Sequence, residues 1–450
     1  MDTTIDRKPQ PTALYRWLVL IFVSLAMFGN YYIYDSIGPV FDLLSKQLNF
    51  TDQQLGLLYT VYSIAAIIVL LVGGFIIDKF GTKKSIFVFA VICLVAALIT
   101  ALSPEFYVMM IGRFVLGIGA EPLIVAVTTA LAKWFKGKTL SLAFGLNLTI
   151  ARLGSWSADL SPGWARPFYD NWQDPLWLAS AIAGISVAGA MLYWAMESSA
   201  EKKFNLEDAG ETEKFEMKGL YSFSKSYWYI VALCVVFYST VFPFRAFAIY
   251  YFQQAHGLER DAAGILNSLL PLAAMIATPL FGLWVDKVGK RSLFMIIGTV
   301  ILFPLFLVVT YMPPGPLISV TIPLIGTGAI PLTLLIVMVL LGISFSMIPA
   351  VMWPSVAYIV EQKRLGSGYS LMTLCQQVGM AAIPWLIGFT NDWFSAGPEN
   401  PAGYTPGMWI FTALASLGLF FSFMLWKTET GPNAHGLETI TTKTGLGDKK

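Results

Sequence analysis

Long apolar stretches alternate with short polar breaks along nearly the whole chain. Each stretch holds about 20 residues, the length of helix that crosses ~30 Å of bilayer hydrocarbon. Backbone groups inside lipid must be paired within their own structure, and continuous stretches of this length favour helices over the alternating strands of a barrel. The pattern predicts twelve spans, numbered in chain order, at 17–41, 54–77, 84–102, 106–130, 139–161, 176–196, 227–252, 261–285, 292–311, 331–359, 367–389 and 405–426.

Polar segments divide these spans into two sets of six. A charged linker at 197–225 separates an N-terminal bundle at 17–196 from a C-terminal bundle at 226–427. Tails at 1–16 and 428–450 flank the bundles. We expect the linker to be solvated with at most one amphipathic helix, and the Thr/Gly/Lys-rich C-terminal tail to be disordered. The predicted fold is an all-α membrane protein of two similar six-helix bundles.

Composition and charge agree with this organisation. Apolar residues make up 56% of the chain and charged residues 12%. With twelve crossings, 23 of the 29 Lys and Arg side chains fall on one side of the membrane. By the positive-inside rule that side, with both termini, is cytoplasmic. The three cysteines lie within spans and indicate no disulfide framework, and the net charge of +2 gives no indication of a nucleic-acid partner.

A charged motif occurs at equivalent places in the two halves. The frame G-x-x-x-D-K-x-G-x-[K/R] begins at Gly74 after span 2 and at Gly282 after span 8. We expect these glycines to let a neighbouring helix approach closely. Asp78 and Asp286 would lie near the N-terminus of a helix from the opposite half, where a carboxylate gains ~0.3 to 1 kcal/mol. The hypothesis is a gate that stabilises the state closed to the cytoplasm; the alternative is that the lysines only set topology.

Two six-span halves, the charged linker, the repeated motif and the run Arg113-Phe-Val-Leu-Gly-Ile-Gly in span 4 resemble the major facilitator superfamily. A narrower resemblance covers nearly all the spans, is continuous at 112–155 and patchy elsewhere, and includes Tyr34-Asp35, Asn267-Ser268 and Trp353-Pro354. It is similar to the branch of that superfamily that holds lysosomal dipeptide transporters. The resemblance implies a transporter of short peptides, either a uniporter or a proton-coupled carrier, with the twelve-helix fold of the superfamily.

The resemblance also implies partners and a location. The partners are a small zwitterionic substrate, the lipid bilayer and an accessory membrane subunit beside a monomeric chain. Mammalian members carry an acidic dileucine sorting signal, and nothing comparable precedes Trp17. We therefore expect a bacterial cytoplasmic membrane rather than a lysosomal one. No cofactor or metal is expected, and the spans hold no nucleophile-base constellation that would indicate an enzyme.

Charged residues within spans are costly unless they are paired or hydrated, so each is a candidate functional residue. Glu121 lies about 15 residues into span 4 and Arg152 about 13 into span 5, which is ~22 and ~20 Å along their helices. Both therefore fall near the middle of the membrane, where transporters of this kind bind substrates. A carboxylate and a guanidinium match the two charged ends of a dipeptide, and the resemblance implies the same two residues. The alternative is an internal salt bridge.

Four further charges lie nearer the outer face. Arg113 and Asp159 occur about two turns outward from Glu121 and Arg152, so we predict that they form a structural pair between spans 4 and 5. Asp35 in span 1 and Arg245 in span 7 lie at similar depth, about 18 residues along their spans at 1.5 Å each. We hypothesise that they pair when an outer gate closes. The alternative is that Arg245 joins Arg152 in binding an anion.

Aromatic and amide side chains complete the candidate lining, because buried polar groups need hydrogen-bond partners that a hydrated cavity supplies. The favoured substrate-binding residues are Tyr59, Asn147, Asn267, Trp353 and Gln376, and the further candidates are Tyr31, Tyr62, Tyr238, Tyr358 and Gln377. The leading hypothesis is movement of dipeptides by alternating access. The alternatives are an organic anion or sugar-phosphate exchanger and a non-transporting membrane sensor.

Overall fold

The computed structural model of the protein describes residues 11–135, 139–204, 223–322, 326–361, 364–432 and 434–441. Twelve long helices form within these ranges, one at each predicted span. In chain order they are α1 (Ala13–Asp35), α2 (Asp52–Phe80), α3 (Thr82–Leu102), α4 (Phe106–Phe135), α5 (Leu140–Asp159), α6 (Asp174–Lys203), α7 (Lys225–His256), α8 (Arg260–Val288), α9 (Arg291–Tyr311), α10 (Leu332–Ile359), α11 (Leu365–Trp393) and α12 (Thr405–Glu429).

Eleven helices in the described ranges are long and apolar enough to cross a membrane. The remaining long helix is α5, which forms at predicted span 5 but is more polar. Three of its polar side chains face protein or a cavity: Asn147 bonds to α1, Arg152 lines a cavity and Asp159 pairs with α7. Polar groups at membrane depth are tolerated where protein or a cavity surrounds them, so the composition of α5 reflects its interior position.

The two halves repeat the same packing. In the first half α1 packs on α5 and α6, and α3 packs on α4 and α6. The second half repeats this with α7 on α11 and α12, and α9 on α10 and α12. The halves meet where α2 packs on α11 and α5 packs on α8, which are equivalent pairs under the repeat. The predicted pair of similar six-helix bundles is thereby confirmed.

Glycines allow the closest approach of the two halves. A methyl group at Gly388 of α11 would overlap the backbone carbonyl of Asp52 in α2, and one at Gly264 of α8 would overlap that of Asp159 in α5. Without a Cβ atom, these positions let the helix backbones come into direct contact. The crossings that join the halves therefore depend on Gly388 and Gly264, which lie outside the repeated motif.

The face that holds the start of α1 and the end of α12 is called the termini face here, and the other is the opposite face. At the opposite face an antiparallel hairpin of β1 (Leu317–Ile322) and β2 (Gly326–Pro331) joins α9 to α10. The all-α prediction missed this hairpin. In β1 the Ile and Val side chains are partly buried while the intervening residues are exposed, and this alternation is the sequence signal of a strand.

The described part of the C-terminal tail also differs from the prediction of disorder. Residues 434–441, called the terminal strap here, pack on the loop between α8 and α9. Leu437 is completely buried, and its carbonyl accepts a hydrogen bond from the backbone N–H of Arg291 at 3.1 Å. The Glu438 carboxylate accepts the backbone N–H of Ser292 at 2.8 Å, which caps the first turn of α9. One apolar anchor and these bonds hold a segment whose composition indicates disorder.

The predicted linker is only partly described. Helix α6 continues to Lys203, well beyond the predicted end of span 6, and residues 205–222 lie outside the described ranges. Glu197, counted with the linker by sequence, is buried in this extension and accepts hydrogen bonds from Lys133 at 2.8 Å and from Thr82 at 3.0 Å. The start of the linker is therefore part of the N-terminal bundle.

Replacing Leu437 with Ala should release the terminal strap, because truncating a buried Leu costs about 2 to 5 kcal/mol. Hydrogen exchange followed by mass spectrometry is expected to show faster exchange at 290–292, whose backbone N–H groups donate to the strap. Leu417 lies on α12 and is 45% exposed. Its replacement with Ala is the matched control and should not change the exchange at 290–292. Unchanged exchange at 290–292 in the Leu437 variant would show that the strap does not hold this loop.

Candidate functional site

A cavity of about 260 Å³ lies between the two halves, at the middle of the helices. Helices α1, α2, α4 and α5 of the first half and α7, α10 and α11 of the second contribute its walls. The volume suits a small molecule. Of the residues predicted to bind substrate, it brings together Glu121, Arg152, Trp353 and Gln376.

Glu121 lies on α4 and presents its carboxylate to the cavity. Its Oε1 atom accepts hydrogen bonds from the Tyr62 hydroxyl at 3.0 Å and from Nε2 of Gln377 at 3.1 Å. Gln377 belongs to the other half, so this bond crosses the interface. The described contacts of Glu121 are with neutral groups, and the alternative of an internal salt bridge with Arg152 is not what the structure shows.

Arg152 lies on α5 with its guanidinium between two aromatic rings. The guanidinium carbon is 5.4 Å from the ring centroid of Tyr31 and 5.4 Å from that of Phe345, which comes from the second half. Both contacts are cation–π interactions, which stabilise a cation without neutralising it. The Nε atom is buried and has no hydrogen-bond partner among the described residues. The geometry leaves a cation with donor capacity beside the cavity.

Trp353 and Gln376 line the second half of the cavity, as predicted, and their role in binding stays a prediction. Nε1 of Trp353 donates to the Tyr238 hydroxyl at 2.9 Å. The Gln376 amide makes only weak bonds, accepting from Sγ of Cys234 at 3.7 Å and donating to Sδ of Met380 at 3.5 Å. Sequence reasoning missed Met380 and Thr373, which also line the cavity. Their spacing of three and four residues from Gln376 places them on one helical face, a signal that could have found them.

Other predicted lining residues lie elsewhere. Asn147 is buried and accepts a hydrogen bond from Ser24 at 2.9 Å, so it joins α5 to α1. The Tyr59 ring packs on the guanidinium of Arg113 at 5.0 Å, and the Tyr358 ring packs on Arg291 at 4.5 Å. Each of these polar groups has a partner within its own half, and none of the three lines the cavity.

Between the cavity and the opposite face, Arg245 of α7 bridges two carboxylates of the first half. Its guanidinium donates to Asp35 at 2.5 Å and to Asp159 at 2.8 Å, and all three side chains are buried. Asn267 of α8 donates to Asp159 at 2.9 Å and to the backbone carbonyl of Arg245 at 3.2 Å. We call these four residues the opposite-face cluster. The hypothesised contact of Asp35 with Arg245 is present, while its gating role stays a prediction.

This cluster corrects three interpretations. Asp159 pairs with Arg245 rather than with Arg113. Asn267 serves the cluster and does not line the cavity. Arg245 contacts two carboxylates, so its charge is neutralised, and the predicted role of Arg245 in binding substrate, alone or with Arg152, has no support in this geometry.

Arg113 has a structural position with different partners from those predicted. It is 1% exposed, and its guanidinium donates to the backbone carbonyls of Leu58, Ile33 and Tyr34 at 3.2 to 3.3 Å. The last two carbonyls belong to the final turn of α1, where helix carbonyls lack intrahelical partners and a cation is favoured. The predicted pair with Asp159 fails because α4 packs chiefly on α2 and α3, whereas α5 packs on α1 and α8.

Further contacts between the halves close the opposite face. Arg260 of α8 grips Asp42 with two bonds, at 2.9 and 2.6 Å. The Asp392 carboxylate of α11 accepts the backbone N–H groups of Asp52 and Gln53, each at 2.9 Å, and so caps the N-terminus of α2. One side of the cavity is thus sealed by bonds that join both halves.

The repeated motif at the termini face behaves differently from the expectation. Among the described residues, none has an atom near enough to contact a Cβ added at Gly282, so no described helix approaches it closely. Asp286 pairs with Arg291 of its own half at 2.8 Å, and its side chain is 51% exposed. In the first copy of the motif, the side chains of residues 71–75, a range that includes Gly74, and of Asp78 lie outside the described part of the structure. A gating role for the motif stays a prediction for a conformation other than this one.

Comparison with known proteins identifies relatives over most of the chain. The family model of the Major Facilitator Superfamily matches residues 23–328 and 231–444. The lysosomal dipeptide transporter MFSD1 of Danio rerio is 31% identical over 396 residues, covering 84% of this chain and 81% of that protein. The Homo sapiens protein of the same name is 29% identical over 391 residues, covering 84% and 80%.

A solved structure shares the fold. The bacterial homolog to the human lysosomal transporter Spinster, in its inward-facing and unoccupied conformation, superposes with a TM-score of 0.70 at 14% identity. The match covers 93% of this chain and 98% of that one.

Replacing Arg245 with Leu should destabilise the protein by about 3 to 5 kcal/mol, because two buried carboxylates lose their counter-ion. A triple variant that also carries Asp35→Asn and Asp159→Asn removes those charges and should recover most of the loss. Thermal unfolding in detergent measures both, with Arg166→Leu, an exposed cation at the same face, as the unaffected control. Equal losses in the single and triple variants would contradict a charge-based role for the cluster.

Proposed function

The chain belongs to the major facilitator superfamily of membrane transporters, and from this premise we propose that it moves dipeptides or similar small zwitterions by alternating access. The observation that carries the proposal is the presence of two opposite charges, Glu121 and Arg152, on one cavity without an ion pair between them. Relatives at 29 to 31% identity are named as dipeptide transporters, which supports the same substrate class.

The chemistry of the cavity matches the two ends of a dipeptide. A carboxylate recognises an ammonium group, and a guanidinium can hold a carboxylate with two parallel bonds. The Nε donor of Arg152 has no described partner, and an unsatisfied buried donor costs about 1 to 3 kcal/mol. A ligand carboxylate would relieve that cost, and a ligand ammonium would neutralise Glu121. Binding both ends at once selects a zwitterion of matching length.

The organic anion or sugar-phosphate exchanger fits the cavity less well. That alternative needs a second cation beside Arg152, and Arg245 is engaged by Asp35 and Asp159. Withdrawing it would leave two buried carboxylates unpaired, which is strongly unfavourable. Glu121 would also repel an anion within the same cavity. The non-transporting sensor is disfavoured because both halves line the cavity and the bonds that seal it join one half to the other.

The position of those bonds supports alternating access. The opposite-face cluster and the Asp42–Arg260 pair close one side, and the cavity lies between them and the termini face. The excess of Lys and Arg near the termini supports a cytoplasmic position for that face. We infer that the described conformation is closed toward the outside. Location in a bacterial cytoplasmic membrane, coupling to protons and an accessory subunit stay predictions.

Uptake of labelled dipeptides into proteoliposomes tests the proposal. Glu121→Gln and Arg152→Gln should each reduce uptake about tenfold or more, because each removes a charge-assisted contact with the ligand. Thr390→Val on α11 is the control, since the described hydrogen bond of its hydroxyl is to the Leu386 carbonyl of its own helix. Repeating the assay with and without a proton gradient distinguishes coupled transport from uniport.

A panel of tripeptides, amino acids and organic anions sets the specificity. The proposal predicts that dipeptides compete best and that competition requires both charged ends. Transport of organic anions that needs Arg152 but not Glu121 would favour the exchanger instead. Absence of dipeptide flux together with absence of dipeptide-induced thermal stabilisation would contradict the proposed substrate class.

A further inference from the structure

Gln377 of the second half forms a hydrogen bond with the Glu121 carboxylate of the first half. It lies on α11, is 3% exposed, and donates from Nε2 to Oε1 of Glu121 at 3.1 Å. Its neighbour Gln376 lines the same cavity but bonds to Cys234 and Met380 of its own half. Of these two adjacent amides, Gln377 is the one that links the halves at the middle of the membrane.

The amide orientation of Gln377 follows from its partner. An ionised carboxylate only accepts hydrogen bonds, so the NH₂ group must face Glu121 and the amide oxygen must point away from it. That oxygen, Oε1, is buried and has no hydrogen-bond partner among the described residues. Gln377 itself lines the cavity. A buried carbonyl with free lone pairs beside a cavity is an acceptor for a ligand donor.

Glu121 offers a second acceptor at the same place. Both of its described hydrogen bonds, from Tyr62 and from Gln377, end on Oε1. The other oxygen, Oε2, therefore keeps its lone pairs for a ligand. A primary ammonium carries three N–H donors, whereas an acylated amine carries one and no charge.

We propose that Gln377 is a specificity-determining residue that completes an amine subsite with Glu121, so that a protonated primary amine is held by acceptors from both halves. Oε2 of Glu121 takes one N–H and Oε1 of Gln377 takes a second, while the existing bond between the two side chains keeps them in register. This inference rests on the proposed function. It adds that the bound amine strengthens the contact between the halves, so N-terminal recognition is coupled to the interface that moves during transport.

The test compares how well a dipeptide and its N-acetylated form compete for uptake in proteoliposomes. Wild type should prefer the free amine. Gln377→Met keeps the length of the side chain but removes the acceptor, and we expect the preference to fall about tenfold or more. Gln377→Glu retains acceptors and should retain the preference. Discrimination between a free and an amidated C-terminus, which Arg152 governs in the proposed function, should stay unchanged in both variants.

The outcomes separate this inference from the proposed function. Absence of dipeptide uptake by wild type contradicts the proposed function before any variant is measured. Uptake by a folded Gln377→Met variant with undiminished preference for the free amine overturns the inference alone. If that variant does not fold, the shorter Gln377→Asn is measured in the same way, where a partial loss of preference supports the inference and no loss overturns it. Thr390→Val, on the same helix, should match wild type throughout.

Discussion

The structure depends on which charged side chains within the membrane have a counter-ion and which do not. At the opposite face one guanidinium, that of Arg245, serves Asp35 and Asp159 together and ties α7 to α1 and α5. Near the middle, Glu121 and Arg152 have hydrogen bonds and aromatic contacts but no counter-ion in the described structure. Isolated charges at that depth are expensive. The first group of charges therefore stabilises the conformation, and the proposed role of the second is to bind a ligand of complementary charge.

The backbone contacts of the fold place these two layers. Gly388 and Gly264 allow α11 to meet α2 and α8 to meet α5 without intervening side chains, so the halves come together near the opposite face and leave the cavity beyond. The second copy of the repeated motif makes its described contacts within its own half, where the terminal strap covers the start of α9. To open the opposite face and close the termini face, the contacts between the halves near the opposite face would have to break. New contacts would then have to form at the repeated motif.

Depth along a helix could be predicted from sequence, whereas the neighbour of each helix could not. Counting residues placed Asp35 level with Arg245 and placed Glu121 and Arg152 at the middle, because helix rise is constant. The same counting paired Arg113 with Asp159 wrongly, because α4 and α5 are consecutive in the chain but pack mainly on other helices. Asn147 and Asn267 were misplaced for a related reason: a polar residue within a span signals an interior position but not which partner it meets. The terminal strap was missed because a single buried residue, Leu437, outweighs a composition that indicates disorder.

The most direct measurement of the central claim is a structure of the protein determined with a bound dipeptide by electron cryomicroscopy. The account predicts ligand density in the cavity between the halves, with the ammonium within hydrogen-bond distance of Glu121 and the carboxylate on the guanidinium of Arg152, while Arg245 remains with its two aspartates. Density at another place, or a direct ion pair between Glu121 and Arg152 in the bound state, would contradict it.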